Sequence, residues 1–115
     1  MSEVTIYHNP RCSKSRQTLA LIEERGIEPN IVEYLVSPPS KETLTELLGL
    51  LGLSAHQLAR PKEDIFKELN LRDADDEALI SAMVEHPIII ERPIVVSGGR
   101  AVLGRPPENV LELLP

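Results

Sequence analysis

The sequence predicts an α/β fold: a βαβ–ββα core with a mixed sheet, and a helical insertion between the second and third strands. Three observations carry this. Val4–Tyr7 and Ile31–Leu35 are rich in β-branched and aromatic residues and flank a helical stretch, which reads as a right-handed βαβ unit. Pro93–Val96 and Ala101–Leu103 flank Gly98-Gly99, a two-residue hairpin signal. Between these two sets, roughly residues 40–86 carry only helical patterning.

The elements follow in order. Asn9-Pro10 is a turn signal after the first strand. Ser13 is positioned to cap a helix over 13–25, with Leu19 and Ile22 on one face, Gly26 at its end and Cys12 just before the cap. After the second strand, Ser37-Pro38-Pro39-Ser40 breaks the pattern and offers Ser40 as an N-cap. Leu44, Leu47, Leu48 and Leu51 then give an i, i+3, i+4, i+7 stripe. Residues 53–59 read as a short helical turn ending at Arg60-Pro61. Pro61 is placed to open a helix that buries Ile65, Phe66 and Leu69. Asp75-Asp76-Glu77 marks another helix start, with acids at the positive end of the dipole and an apolar face of Leu79, Ile80, Met83 and Val84. Ile88–Ile90, caught between Pro87 and Pro93, reads as loop or edge. Gly104-Arg105-Pro106-Pro107 leads into a last helix carrying Val110, Leu111 and Leu114. Without the insertion the order is that of a thioredoxin-like fold, expected as one domain over residues 1–115. In such folds the strand before the hairpin opens with a cis proline facing the active-site cysteine, and Pro93 is the candidate.

Composition removes several function classes. The net charge of −6 argues against general nucleic-acid binding, which needs a basic footprint. No apolar run reaches the roughly 18 residues of a membrane span, so no membrane role is expected. The N-terminus lacks the pattern of a signal peptide. A single cysteine rules out an internal disulfide and fits a reducing compartment, which makes the cytoplasm the expected location. No metal cluster, phosphate loop or dinucleotide fingerprint is present.

The candidate chemistry starts at Cys12. A lone intracellular cysteine is often buried and inert, but Arg11, Ser13, Lys14 and Ser15 are a poor recipe for burial. A thiol at a helix N-terminus faces unpaired N–H groups and the positive end of the dipole, and both favour the thiolate nucleophile. The three Arg-Pro dipeptides, at Arg60, Arg92 and Arg105, are the second feature. Proline holds each arginine in extended geometry. Dispersed, they are solvated charges; if they converge, their guanidinium forks make an oxyanion site beside a thiolate. His8 either helps to ionise or orient the thiol or simply packs at a strand end. Asn9 and Ser15 are supporting candidates, as hydrogen-bond partners of the thiolate or an anion, or else as ordinary turn and cap residues. His56 and His86 read as structural. Ser15 stands where a dithiol motif needs its second cysteine, and Arg16 stands too close to Cys12 for a phosphatase-type loop.

These residues resemble a known family. Ile6-Tyr7-His8-Asn9-Pro10-Arg11-Cys12-Ser13-Lys14-Ser15-Arg16, His86-Pro87, Glu91-Arg92-Pro93-Ile94-Val95-Val96 and Gly104-Arg105-Pro106-Pro107 are similar to the glutaredoxin-coupled arsenate reductases of the ArsC type, including their YfgD-like branch. Ala59-Arg60-Pro61-Lys62-Glu63 matches less tightly. The resemblance implies a thioredoxin-like fold with a helical insertion. It implies Cys12 as nucleophile assisted by His8, and an oxyanion site of Arg60, Arg92 and Arg105. It further implies reduction of arsenate to arsenite with glutathione as co-substrate, glutaredoxin as partner and no bound cofactor. Two other functions stand beside it. Spx-type proteins share the fold and bind RNA polymerase, but many carry a Cys-x-x-Cys switch where this chain has Ser15. A general glutathione-linked thiol oxidoreductase with another substrate is the third reading.

Overall fold

The computed structural model describes residues 3–114, which fall into two compact units: residues 3–37 with 92–114, and residues 38–91. The first unit holds the sheet. Its strands are β1 (Val4–His8), β2 (Asn30–Glu33), β3 (Ile94–Ser97) and β4 (Arg100–Leu103), in spatial order β2-β1-β3-β4. β1 runs parallel to β2, with Thr5 opposite Asn30 and His8 opposite Glu33, and antiparallel to β3, with Val4 opposite Ser97 and Tyr7 opposite Ile94. β3 and β4 form the expected hairpin, whose Gly98 and Gly99 both have positive φ (57° and 75°), as a two-residue primed turn requires. The parallel pair is joined by α1 (Ser13–Glu24), ended by Gly26 in the left-handed region (φ 74°). This is the thioredoxin-like βαβ–ββ arrangement.

Alternation along β1 buries Val4, Ile6 and His8 and leaves Thr5 and Tyr7 half-buried. Val4 and Ile6 join Ile22, Val95, Val110, Leu113 and Leu114 in the core, where α1 packs against the closing helical segment. That segment, Pro107–Glu112, is a 3₁₀ helix and not the α-helix expected from the sequence; it is short and enters through Pro106-Pro107. The buried stripe of α1 also differs from expectation. It is Ser15, Thr18 and Ile22, while Leu19 is only half-buried. β2 ends two residues before its apolar run does, because a turn begins there: the Val36 and Ser37 N–H groups both donate to the Glu33 carbonyl, at 3.0 and 2.9 Å. Tyr34, in that turn, is buried.

The second unit takes in the stretch expected as a helical insertion. α2 (Lys41–Leu51) is capped by Ser40, whose hydroxyl accepts from the Thr43 N–H, and it buries Leu44, Leu47 and Leu48, with Leu51 half-buried. α3 (Ala55–Leu58) starts in a capping box between Ser54 and Gln57. α5 (Asp76–Glu85) is capped by Asp75 and buries Leu79, Ala82 and Met83 against α2 and α3; Ile80 and Val84 are half-buried. Pro61 does not open a helix. It sits in a turn closed by the Glu63 N–H donating to the Arg60 carbonyl (3.1 Å), and α4 begins at Asp64 and runs to Glu68. So short a helix turns one large side chain inward: Phe66 is buried, Ile65 is half-buried and Leu69 is exposed. Pro87–Ile89 is a 3₁₀ turn, and Ile90 makes an isolated antiparallel bridge with Ala59.

Ile22 is fully buried in the first unit's core. Ile22→Ala should lower the unfolding free energy by about 2–5 kcal/mol, measured by urea denaturation. A loss much below that range would show that α1 does not anchor this core.

Candidate functional site

Cys12 is itself the N-cap of α1, a place the sequence reading gave to Ser13, which is instead the first helical residue. Its backbone is extended (φ −92°, ψ 122°), and the Arg16 N–H donates to its carbonyl at 3.0 Å. The loop before it is a tight turn in which the Cys12 N–H donates to the Asn9 carbonyl at 3.0 Å with Pro10 at the corner. Asn9 is buried and shapes this loop: its Oδ1 accepts from the Arg11 N–H at 3.0 Å. Arg16 pins the loop from the helix, its Nη1 donating to the Pro10 carbonyl at 2.9 Å.

The strand period that buries Val4 and Ile6 also puts His8 on the inward face. There it meets the polar end of the α1 stripe, with Nδ1 2.6 Å from Ser15 Oγ. The Asn9 N–H donates to the same Oγ at 3.1 Å, which leaves the hydroxyl proton for Nδ1 of a neutral ring. Burial lowers the His8 pKa below its ordinary value, in keeping with that neutral form. The structure therefore joins His8 to Ser15, and Ser15 to the loop and helix that carry the thiol.

Around the sulfur, burial opposes ionisation. The backbone N–H groups of Ser15 and Lys14, with the hydrogen bond and charge of Arg92, outweigh it and bring the Cys12 pKa below the ordinary thiol value. Arg92 is buried, only 8 % exposed. Burial also works against its charge, but the Tyr34 phenol and the Cys12 sulfur both engage the guanidinium and raise its pKa. The Arg92–Pro93 bond is cis, and so is Arg105–Pro106, which the sequence reading did not foresee. Arg105 Nη1 donates to the Arg92 carbonyl at 2.9 Å and lies 3.9 Å from Cys12 Sγ. Two of the three arginines thus meet at the thiol. Arg60 belongs to the second unit, where its guanidinium bridges Glu63 (3.3 Å) and Glu91 (2.9 Å).

Sequence reasoning missed three residues that hold this site. Tyr34 read only as part of the second strand, and it engages Arg92. Thr18 is fully buried on α1, and its hydroxyl reaches the Lys14 carbonyl (2.8 Å) and the Gly104 carbonyl (3.3 Å). Gly104 donates its N–H to the Pro93 carbonyl at 2.9 Å. A Cβ there would stand 2.8 Å from Pro93 Cγ and 2.9 Å from Thr18 Cγ2. Only glycine lets the chain pass this close to α1 and deliver Arg105 to the sulfur. The sequence signal was present, a glycine directly before an Arg-Pro pair, but which backbone it must approach is a tertiary fact.

The model of the ArsC family matches residues 7–113. The chain belongs to that family. It is 57% identical to YfgD of Escherichia coli K12, an uncharacterised protein, over 97% of each chain. It is 51% identical to an arsenate reductase of Rhizobium meliloti, covering 97% of this chain and 81% of the relative. Among solved structures, the arsenate reductase from Vibrio cholerae superposes with a TM-score of 0.94 at 56% identity, covering 97% of this chain and 98% of that one. Among the described residues of this chain, no group of histidine, cysteine and carboxylate side chains is arranged to hold a metal ion.

The lowered thiol pKa fixes a pH dependence. Iodoacetamide alkylation of Cys12 should show a midpoint below the free-thiol value of about 8.5. The folded pKa lies below the unfolded one, so the thiolate adds stability above the unfolded pKa and that stability is lost as pH falls through the folded pKa. The stability difference between wild type and Cys12→Ser should shrink accordingly as the buffer is acidified. An alkylation midpoint at or above the free value would remove the basis for an activated nucleophile.

Gly104→Ala tests the close approach to α1. The variant should keep the fold and an alkylation midpoint below the free-thiol value, since Arg92 and the helix N–H groups remain, while weakening sulfate binding at the thiol. Unchanged sulfate affinity would show that Arg105 is placed without this glycine.

Proposed function

We propose that the chain is an arsenate reductase in which Cys12 is the nucleophile, Arg92 and Arg105 bind the oxyanion, and glutathione and glutaredoxin supply the other thiols. The observation that carries this reading is the convergence of two guanidinium groups on a thiol whose pKa is lowered. The family membership and the named arsenate reductases among its relatives support the substrate. Arsenate is anionic at neutral pH, and so is the attacking thiolate. Left uncompensated, their repulsion blocks approach; guanidinium forks neutralise it and stabilise charge building on the oxygens.

The steps balance. The Cys12 thiolate attacks arsenic, an As–O bond breaks, and the departing oxygen takes up protons and leaves as water, giving a Cys12–S–As(V) ester. A glutathione thiolate then attacks the Cys12 sulfur. The S–As bond breaks with its electron pair on arsenic, which departs as arsenite, As(III), and leaves a Cys12–glutathione disulfide. A glutaredoxin thiolate attacks the glutathione sulfur and releases the Cys12 thiolate. Two thiols have been oxidised to one disulfide, and their two electrons are on arsenic. One cysteine suffices, because every later thiol comes from outside. His8 acts in this scheme through Ser15, as a positioning residue for the turn that presents the sulfur. Arg60 enters on the sequence reading, and with its charge offset by Glu63 and Glu91 it is expected to contribute less than the other two. No described helix is long and apolar enough to cross a membrane, and the thiol chemistry suits the reducing cytoplasm.

The test is coupled turnover with arsenate, glutathione, glutaredoxin and NADPH-dependent glutathione reductase. Arg92→Ala and Arg105→Ala should each lose about 2.7–4 kcal/mol of transition-state stabilisation, as when an oxyanion-hole donor is removed. Lysine should rescue poorly, because it lacks the fork. Near-normal arsenate turnover in both alanine variants would sink the oxyanion site. Turnover on disulfides with none on arsenate would make the chain a general glutathione-linked thiol oxidoreductase.

A further inference from the structure

The turn that carries Cys12 has a second face, away from Arg92 and Arg105 in role and chemistry. A cavity of about 470 Å³ opens there, with His8, Asn9 and Arg11 on one wall and Glu33, Leu35 and Val36 on the other. The register explains the pairing of walls. His8 and Glu33 are partners across the parallel β1–β2 pair, so the chain leaving β1 toward the thiol and the chain leaving β2 run on side by side.

The lining has a specific chemistry. Arg11 and Glu33 put one cation and one anion on opposite walls, and among the described residues neither is part of a salt bridge. Leu35 and Val36 add an apolar flank, Val36 being 79 % exposed. A purely anionic ligand would be repelled by Glu33, and a purely apolar one would gain nothing from either of these exposed charges. The size falls within the usual range of small-molecule sites, about 300–1,000 Å³.

We infer that this cavity binds the attacking thiol, and that it selects a small zwitterionic thiol peptide. A carboxylate of the peptide pairs with Arg11, its α-ammonium with Glu33, and its apolar stem lies on Leu35 and Val36. The inference rests on the thiol-coupled reading above and deepens it. That reading needs two reactants at one sulfur, an oxyanion and a thiol. Two chemically different features adjoin the turn that carries that sulfur: a guanidinium pair for the oxyanion, and a mixed-charge cavity whose lining runs to Arg11, the residue before Cys12, for the thiol peptide. Glutathione, with two carboxylates, one ammonium and a thiol, matches the charges of the second.

The experiment uses the full chain and two probes. S-methylglutathione, which cannot react, is titrated into isotope-labelled protein, and amide shifts should concentrate at residues 8–11 and 33–36. In the coupled assay, Arg11→Ala and Glu33→Gln should each raise the KM for glutathione about two- to fivefold, the scale of an exposed ion pair, with the KM for arsenate unchanged. The desamino analogue of glutathione should lose the Glu33 dependence and keep the Arg11 dependence. Shifts mapping elsewhere, or variants with an unchanged glutathione KM in an enzyme that still turns over arsenate, overturn the site and leave the arsenate reading standing. Binding of S-methylglutathione at the cavity in a protein with no arsenate turnover does the reverse. A raised KM for glutaredoxin with that for glutathione unchanged makes this a protein-docking face and also overturns the inference.

Discussion

The first unit depends on one charged contact, the engagement of the Cys12 sulfur by the guanidinium of Arg92. A buried arginine without partners is costly, and a partly buried thiolate without partners reverts to a thiol. Each group corrects the other. The thiolate helps to keep Arg92 charged, and Arg92 helps to keep the sulfur ionised against the burial that opposes it. Tyr34 completes the arrangement by engaging Arg92 as well, which fixes a long and flexible side chain. Arg105 then uses the Arg92 backbone carbonyl as its anchor, and this brings its guanidinium to the sulfur that Arg92 also engages.

The same helix that lowers the thiol pKa also ties the site to the core. Its buried stripe changes character over two turns: Ser15 meets His8, Thr18 meets Gly104, and Ile22 enters the apolar cluster. The polar members are not misplaced core residues. Ser15 accepts from the Asn9 N–H and so fixes the turn, and Thr18 accounts for a carbonyl of the chain segment that delivers Arg105. An all-apolar stripe would pack α1 just as firmly and leave those backbone groups without partners, at a cost of about 1–3 kcal/mol for each one buried. The stripe reads as a compromise between packing and positioning.

How much of this was legible in the sequence follows from how local each determinant is. The strands, the hairpin glycines, the Ser40 and Asp75 caps and the helical character of residues 40–86 are set by neighbours in the chain, and they were readable. So was the thiol at a helix start, although the cap proved to be Cys12 and not Ser13. The failures are tertiary. Pro61 can open a helix or turn a corner, and the Arg60–Glu63 bond decided for the corner. Leu19 has the hydrophobicity of a core residue, yet the helix presents Thr18 inward, because the polar backbone of Gly104 lies opposite. Tyr34 could not be assigned to Arg92 from spacing, since they are brought together only when the sheet is formed. The three Arg-Pro pairs share one local pattern, and the sequence already set Arg60 apart as the loosest match; their surroundings differ, since two face a sulfur while Arg60 is held by carboxylates.

The setting of the thiol pKa suits a cysteine that must both attack and leave. A lower pKa gives more thiolate at neutral pH, but it also makes each thiolate a weaker nucleophile, with a Brønsted slope of about 0.4–0.5, so attack is fastest when the pKa lies near the ambient pH. A site of bare cations and N–H groups would drive the pKa far down and spoil the first step. Here burial acts in the opposite direction and is the largest single influence on Cys12, although Ser15, Lys14 and Arg92 together outweigh it. In the last step of the proposed cycle the same sulfur is displaced from a disulfide, and there a lowered pKa speeds departure. Burial and cationic neighbours thus serve different steps of one cycle, and a chain with one cysteine, which cannot divide those duties between two sulfurs, needs both.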